Sequence, residues 1–201
     1  MIELYKLTDG GIIAKLDADE VAKLAKVTEP PVNNYLALPV PHISQRGATA
    51  DKRSRDCMAA CVVMVLAMFR INKTVDSIAG QFQNPPNTNM NFADGMAALS
   101  WYGVKRGYKR PFMADAIIAA IKDNHPVIAL VKYPHLPYKA VDFGGYHFIV
   151  CYGVTDEGAI LYHDPLFKSD TKTEISIDAL DVAMSNYPTS DNRHYQALVC
   201  G

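Results

Sequence analysis

Residues 57–69, CMAACVVMVLAMF, form an unbroken apolar run of thirteen residues. This exceeds the usual length of a strand, and its Ala, Met and Leu content favours a helix. A helix that is apolar on every face presents no side to water, so it must be the buried centre of a fold. It is too short to cross a bilayer, which takes ~20 residues. The chain has 201 residues, 49% of them hydrophobic, which is enough for one sizeable core with an appendage.

The polypeptide on either side of this helix divides unevenly. Residues 1–34 read as a small N-terminal appendage. In it, Ile2–Leu16 alternate around Asp9-Gly10-Gly11 as a hairpin, and a short helix opens at Asp17-Ala-Asp-Glu20. Glu29-Pro30-Pro31 ends that helix, and the main domain covers residues 35–201. After the central helix, helical patterns cover 75–82, 93–102 and 113–123. From His125-Pro126 onward, 127–133, 146–154, 159–163 and 195–200 are rich in β-branched or aromatic residues and read as strands. Helices first and antiparallel strands afterwards make the fold class α+β. The loops 83–91 and 134–144 are placed to rim a cleft, with Tyr133, Tyr138 and Phe143 as candidate contacts for an extended peptide.

Charge excludes some functions. The formal net charge is -1 and no basic stripe interleaves with aromatics, so nucleic acid is not an expected partner. No basic leader precedes an apolar stretch at the start, and no run spans a membrane, so a cytoplasmic location is expected. The four cysteines, Cys57, Cys61, Cys151 and Cys200, are too sparse for a disulfide framework and read as thiols.

Cys57 stands at the head of the apolar helix, with Asp56 at the expected cap position. Unsatisfied N–H groups at a helix start favour an anion, so such a site can favour a thiolate. The same residue can equally be a small hydrophobe packed in a core. A nucleophilic thiol needs a base, and the base needs a partner to orient it. His147 lies in a strand that places His147, Ile149 and Cys151 on one face. Thr155-Asp-Glu-Gly158 then turns the chain into a second strand ending at His163-Asp164. A two- or four-residue turn puts Asp164 on the face of His147, about 7–8 Å away on the diagonal. A three-residue turn puts His163 there instead, and periodicity alone leaves both registers open.

Taken in order, LPVPHISQ with Gln45, DCMAACVVMVLAMF with Cys57, GGYHFIVCYGV with His147, and HDPL with Asp164 resemble the papain-like cysteine peptidases. The resemblance is to the group related to bacteriocin leader-processing (double-glycine) peptidases. These are found as N-terminal domains of peptide-exporting ABC transporters and as stand-alone bacterial and phage proteins. The resemblance implies a papain-like fold over residues 38–201 and a peptide or protein substrate, with no cofactor. It further implies that Cys57 is the nucleophile, His147 the base and Asp164 its orienting partner. Gln45 would donate to the oxyanion hole. Family members usually carry glycine after the cysteine, where this chain has Met58. The charged stretch Asp51-Lys-Arg-Ser-Arg55 lengthens the Gln45–Cys57 segment.

The expected activity is hydrolysis of a peptide or isopeptide bond through a thioester. Two alternatives share the same residues: other acyl chemistry (amidase, cell-wall peptide hydrolase or transglutaminase-like), and a catalytically silent binding or effector module. A further alternative is a zinc site built from Cys57 and Cys61, one helical turn apart, completed by His147 or His163.

Overall fold

The computed structural model describes residues 3–6, 12–15, 35–46, 55–83, 88–185 and 195–201. Two compact units are present, Met1–Asn34 and Tyr35–Gly201. In the first, β1 (Glu3–Lys6) pairs antiparallel with β2 (Ile12–Lys15), with Glu3 opposite Lys15 and Lys6 opposite Ile12. The short helix expected after Asp17 lies outside the described residues.

The second unit begins with β3 (Leu36–Ala37), followed by the central helix α1 (Cys57–Met68). Nine consecutive α1 residues, Met58 to Leu66, are wholly buried. Each buried Val, Leu or Met among them contributes about 1.5–3 kcal/mol relative to exposure. The helix stops where Arg70 enters the left-handed region (φ 61°) and the Ile71 N–H returns to the Leu66 carbonyl. Next come α2 (Val75–Phe82) and α3 (Phe92–Trp101), each opened by a reciprocal capping box, Thr74 with Ser77 and Asn91 with Asp94. Then follow β4 (Arg106–Lys109), α4 (Ala114–Lys122), β5 (Val127–Lys132), β6 (Tyr146–Val154), β7 (Ile160–His163), β8 (Thr173–Ile175), α5 (Ile177–Ser185) and β9 (Ala197–Cys200).

The strands form one antiparallel sheet in the order β4-β9-β5-β6-β7-β8, with β3 added beside the end of β6. This is the α+β architecture expected, with α1 packed on β6 and α4 and α5 packed on the β5–β6 pair. Four strands and helices had no counterpart among the sequence expectations: β3, β4, β8 and α5. No helix among the described residues is long and apolar enough to cross a membrane.

The hairpin β6–β7 resolves the register question in an unforeseen way. Near the turn, Val154 pairs with Ile160 and Gly153 with Leu161; further along, Cys151 pairs with Tyr162 and Val150 with His163. Both registers therefore occur, joined by a β-bulge at Tyr152. The three-residue turn is real, with Gly158 at φ 83°, but the extra residue reverses its effect before the strand end. Gly153 is needed at the bulge, because a Cβ there would lie 2.8 Å from the Leu36 carbonyl oxygen. His163 is thereby turned away from His147, and Asp164 is turned towards it.

Candidate active site

The site forms where β6 begins, α1 begins and β7 ends. His147 is the second residue of β6, opposite Val131 of β5, and is buried. Its Nε2–H donates to Asp164 Oδ1 at 2.7 Å. That leaves Nδ1 for the thiol of Cys57, which lies close enough to act on the ring and lines the same cleft. Burial pulls the imidazole pKa down, but the hydrogen bonds to Asp164 and Cys57 and the negative charges they bring outweigh it. The ring is held protonated, with its pKa up at about 9.

Asp164 is itself fixed from three directions. Its Oδ1 accepts a second bond from the Leu166 N–H at 2.8 Å, and its main-chain carbonyl accepts from His42 Nε2 at 3.1 Å. The Pro165 carbonyl accepts from the Gln45 N–H (2.9 Å) and from Ser44 Oγ (3.3 Å). The segment His42–Gln45 is thus strapped onto Asp164-Pro165, which carries the buried Gln45 side chain to the wall shared with Cys57.

Tyr133 was expected to touch a peptide, and this is corrected. It is wholly buried, its ring stands edge-on to His147 at 5.2 Å, and its hydroxyl accepts the Ala140 N–H at 2.7 Å. Burial and the charge of Asp164 raise its pKa to about 12, so it stays a phenol. Tyr138 does not reach the cleft wall, whereas Phe143 does. Asp56 does not cap α1 with its side chain; Asp56 Oδ1 accepts from Gln83 Nε2 at 3.0 Å and is drawn towards the end of α2. Met58 is wholly buried and its sulfur fills the space above Gly95 of α3, where a Cβ would lie only 2.7 Å away. It points into the core and leaves the approach to Cys57 open.

The cleft has a volume of about 780 Å³. Val141, Asp142 and Phe143 form one rim and Asn89, Met90 and Asn91 another, as the two loops suggested. Its floor brings in Phe92, Leu130, Phe148 and Gln196, which sequence reasoning had not singled out. The signal of Leu130 and Phe148 was weak because an inward-facing strand residue looks like any core residue; Phe92 opens α3 and Gln196 directly precedes β9. Arg46 also lines the cleft, while residues 51–54 of the charged stretch lie outside the described residues.

The zinc alternative does not assemble. His163 Nε2–H donates to the Val40 carbonyl at 2.9 Å, and its ring stacks on Tyr152 at 4.1 Å, on the far side from Cys57. Cys61 and Cys151 are wholly buried, and burial pushes both thiols up, Cys151 to about 12. Among the described residues no group of three or more His, Cys, Asp or Glu side chains is arranged to hold a metal ion.

No curated protein matches this chain. Among solved structures it is similar to a C39-like peptidase from Bacillus anthracis, with 16% identity and a TM-score of 0.62, over 83% of this chain and 97% of that one. It is also similar to the peptidase domain of Streptococcus ComA, a bifunctional ABC transporter of a quorum-sensing pathway. There the identity is 14% and the TM-score 0.58, over 81% of this chain and 98% of that one. A third is a double glycine motif protease from an AMS/PCAT transporter, solved in complex with the leader peptide. It has 17% identity and a TM-score of 0.54, covering 82% of this chain and 92% of that one. At such identities these likenesses establish the papain-like fold. The model of the peptidase C39-like family matches residues 37–196, well over half of the sequence, and the chain belongs to that family.

Proposed function

We propose that this protein is a cysteine peptidase that cleaves a peptide or isopeptide bond through a thioester, with Cys57, His147 and Asp164 as its triad. The observation that carries the reading is His147 held between Cys57 and the Asp164 carboxylate in the wall of a peptide-sized cleft. A protonated imidazole against a thiol favours the thiolate–imidazolium pair, the nucleophilic form of cysteine. The thiolate attacks the scissile carbonyl carbon, and the electron pair moves onto oxygen. His147 gives its proton to the leaving amine as the C–N bond breaks, leaving a thioester. Water then attacks the thioester, gives a proton to His147, and the C–S bond breaks to release the carboxylate.

The oxyanion of each tetrahedral intermediate needs donors already in place. The first helical bond of α1 runs from the Ala60 N–H to the Asp56 carbonyl (2.8 Å), so the Cys57 N–H precedes it. Together with the Gln45 side-chain amide it makes a two-donor oxyanion hole. Gln45→Ala is expected to lower kcat about 10²–10³-fold with little change in KM, measured by steady-state kinetics.

A peptide substrate fits the cleft's shape and its apolar floor, and a protease of similar fold has been solved with its leader peptide. The proposal is tested by incubating the full chain with a peptide library and identifying new amino termini by mass spectrometry. They should form with the native chain and be missing with Cys57→Ala; equal cleavage by both would overturn the reading.

The raised pKa of His147 gives two pH predictions with one origin. Turnover needs the imidazolium as acid, so kcat/KM should hold through neutrality and fall as pH passes about 9. The folded-state pKa lies above the ordinary value near ~6.5. The group therefore adds stability that is fully present below ~6.5 and lost as pH rises through about 9. Melting temperature should decline over that window in the native chain and less steeply in His147→Gln.

A further inference from the structure

Among the described residues the sheet ends at β4, whose one strand neighbour there is β9. The Gly201 N–H donates to the Lys105 carbonyl at 2.8 Å, so Lys105, Gly107 and Lys109 turn their main-chain groups inward to β9. By alternation, Arg106 and Tyr108 turn theirs outward, and no described residue takes them up. The side chains of Lys105, Arg106, Lys109 and Arg110 are all exposed, and among the described residues neither Arg106 nor Lys109 forms an ion pair. Within a chain of net charge -1 this is a concentrated patch of positive charge.

The edge is continuous with the cleft. The Tyr108 ring packs edge-on against Phe92 at 5.3 Å, and Phe92 packs against Phe148 at 5.0 Å, next to His147. Phe92 and Phe148 both line the cleft. From β6 across β5 and β9 to β4 is three strand spacings, roughly 14 Å, or four to five extended residues at ~3.3 Å each.

We propose that β4 is a docking strand for the substrate itself: an extended, acidic segment adds to the sheet at Arg106–Lys109, about four to five residues from the bond cleaved at Cys57. Main-chain pairing to Arg106 and Tyr108 supplies affinity, and a row of carboxylates facing Arg106 on one face of the sheet, or Lys109 on the other, supplies selectivity. This deepens the peptidase reading and rests on it for the position of the cleaved bond; the binding at β4 is measured without turnover.

The test uses the full chain carrying Cys57→Ala and dye-labelled (Thr-Glu)4, (Thr-Gln)4 and a (Thr-Glu)4 N-methylated at every amide, which leaves neither edge able to pair, followed by fluorescence anisotropy at low salt. The acidic peptide should bind at least tenfold more tightly than the glutamine peptide. Arg106→Glu with Lys109→Glu, both exposed, should abolish that preference while leaving the melting temperature unchanged. The N-methylated peptide should bind at least tenfold more weakly. Equal binding of the Glu and Gln peptides, no binding at all, or a preference that survives charge reversal would overturn the proposal. Unweakened binding of the N-methylated peptide would overturn strand addition. None of these results bears on whether Cys57 cleaves a peptide, which the library experiment decides separately.

Discussion

Cys57→Ala is expected to remove hydrolysis, lowering kcat by roughly 10⁵–10⁶, the scale at which loss of a triad nucleophile leaves only oxyanion-hole and binding effects. In the proposed mechanism the Cys57 Sγ forms and then breaks the bond to the acyl group, a role that no other thiol in the cleft wall can take. Cys61 lies inside α1, wholly buried, with its pKa raised well above the ordinary thiol value by burial and the neighbouring Cys57. Only the start of α1 is altered, and Cys57 is only partly buried, so the fold should persist. The check is a progress curve against a cleaved library peptide alongside a melting curve. A variant that melts like the native chain but still cleaves within tenfold of its rate would refute the mechanism.

Asp164→Asn has the second largest expected effect, a loss in kcat of about 10³–10⁴. The carboxylate holds His147 Nε2–H at 2.7 Å, which keeps Nδ1 facing Cys57. An amide at the same place can present its NH₂ group to Nε2 and stabilise the wrong tautomer. It also removes the negative charge that supports the imidazolium. The main-chain links of residue 164 to His42 and of Pro165 to Gln45 do not depend on the carboxylate and should survive. The variant's pH–rate profile should therefore lose its plateau near neutrality, with the alkaline limb moving down from about 9. An unshifted limb with only a uniform loss of rate would mean that Asp164 acts on structure alone.

Much of this architecture is legible in the chain because strong local signals coincide. The run 57–69 has one physical solution, a buried helix, and the structure has α1 at 57–68. The segment 75–82 is bounded by Thr74 as cap, and α2 occupies those residues. What escaped does so for identifiable reasons. β4 reads RGYK, with a burial pattern that is exposed almost throughout, so neither alternation nor apolar content marks it as a strand. β8 has only three residues. The choice between His163 and Asp164 turned on a single extra residue at Tyr152, and a one-residue slip reverses every side chain beyond it. Composition has no record of a bulge. Asp56 has the identity of a helix cap, yet Gln83, distant in sequence, takes its carboxylate. Met58 departs from the family's glycine, and the space it needs comes from Gly95 on another helix. In each case the deciding partner is supplied by tertiary contact, which local pattern cannot name.

The most direct measurement is the rate of iodoacetamide alkylation at pH 6.5, residue by residue through peptide mapping, in the native chain and in His147→Ala. It needs no substrate and reads the Cys57–His147 pair itself. The account predicts rapid labelling of Cys57 alone, with Cys61, Cys151 and Cys200 protected by burial until the chain is unfolded. In His147→Ala the labelling of Cys57 should slow at least tenfold, because the neighbouring imidazolium is gone. Labelling of Cys57 at the same rate in both proteins would contradict the pairing, and with it the proposed mechanism.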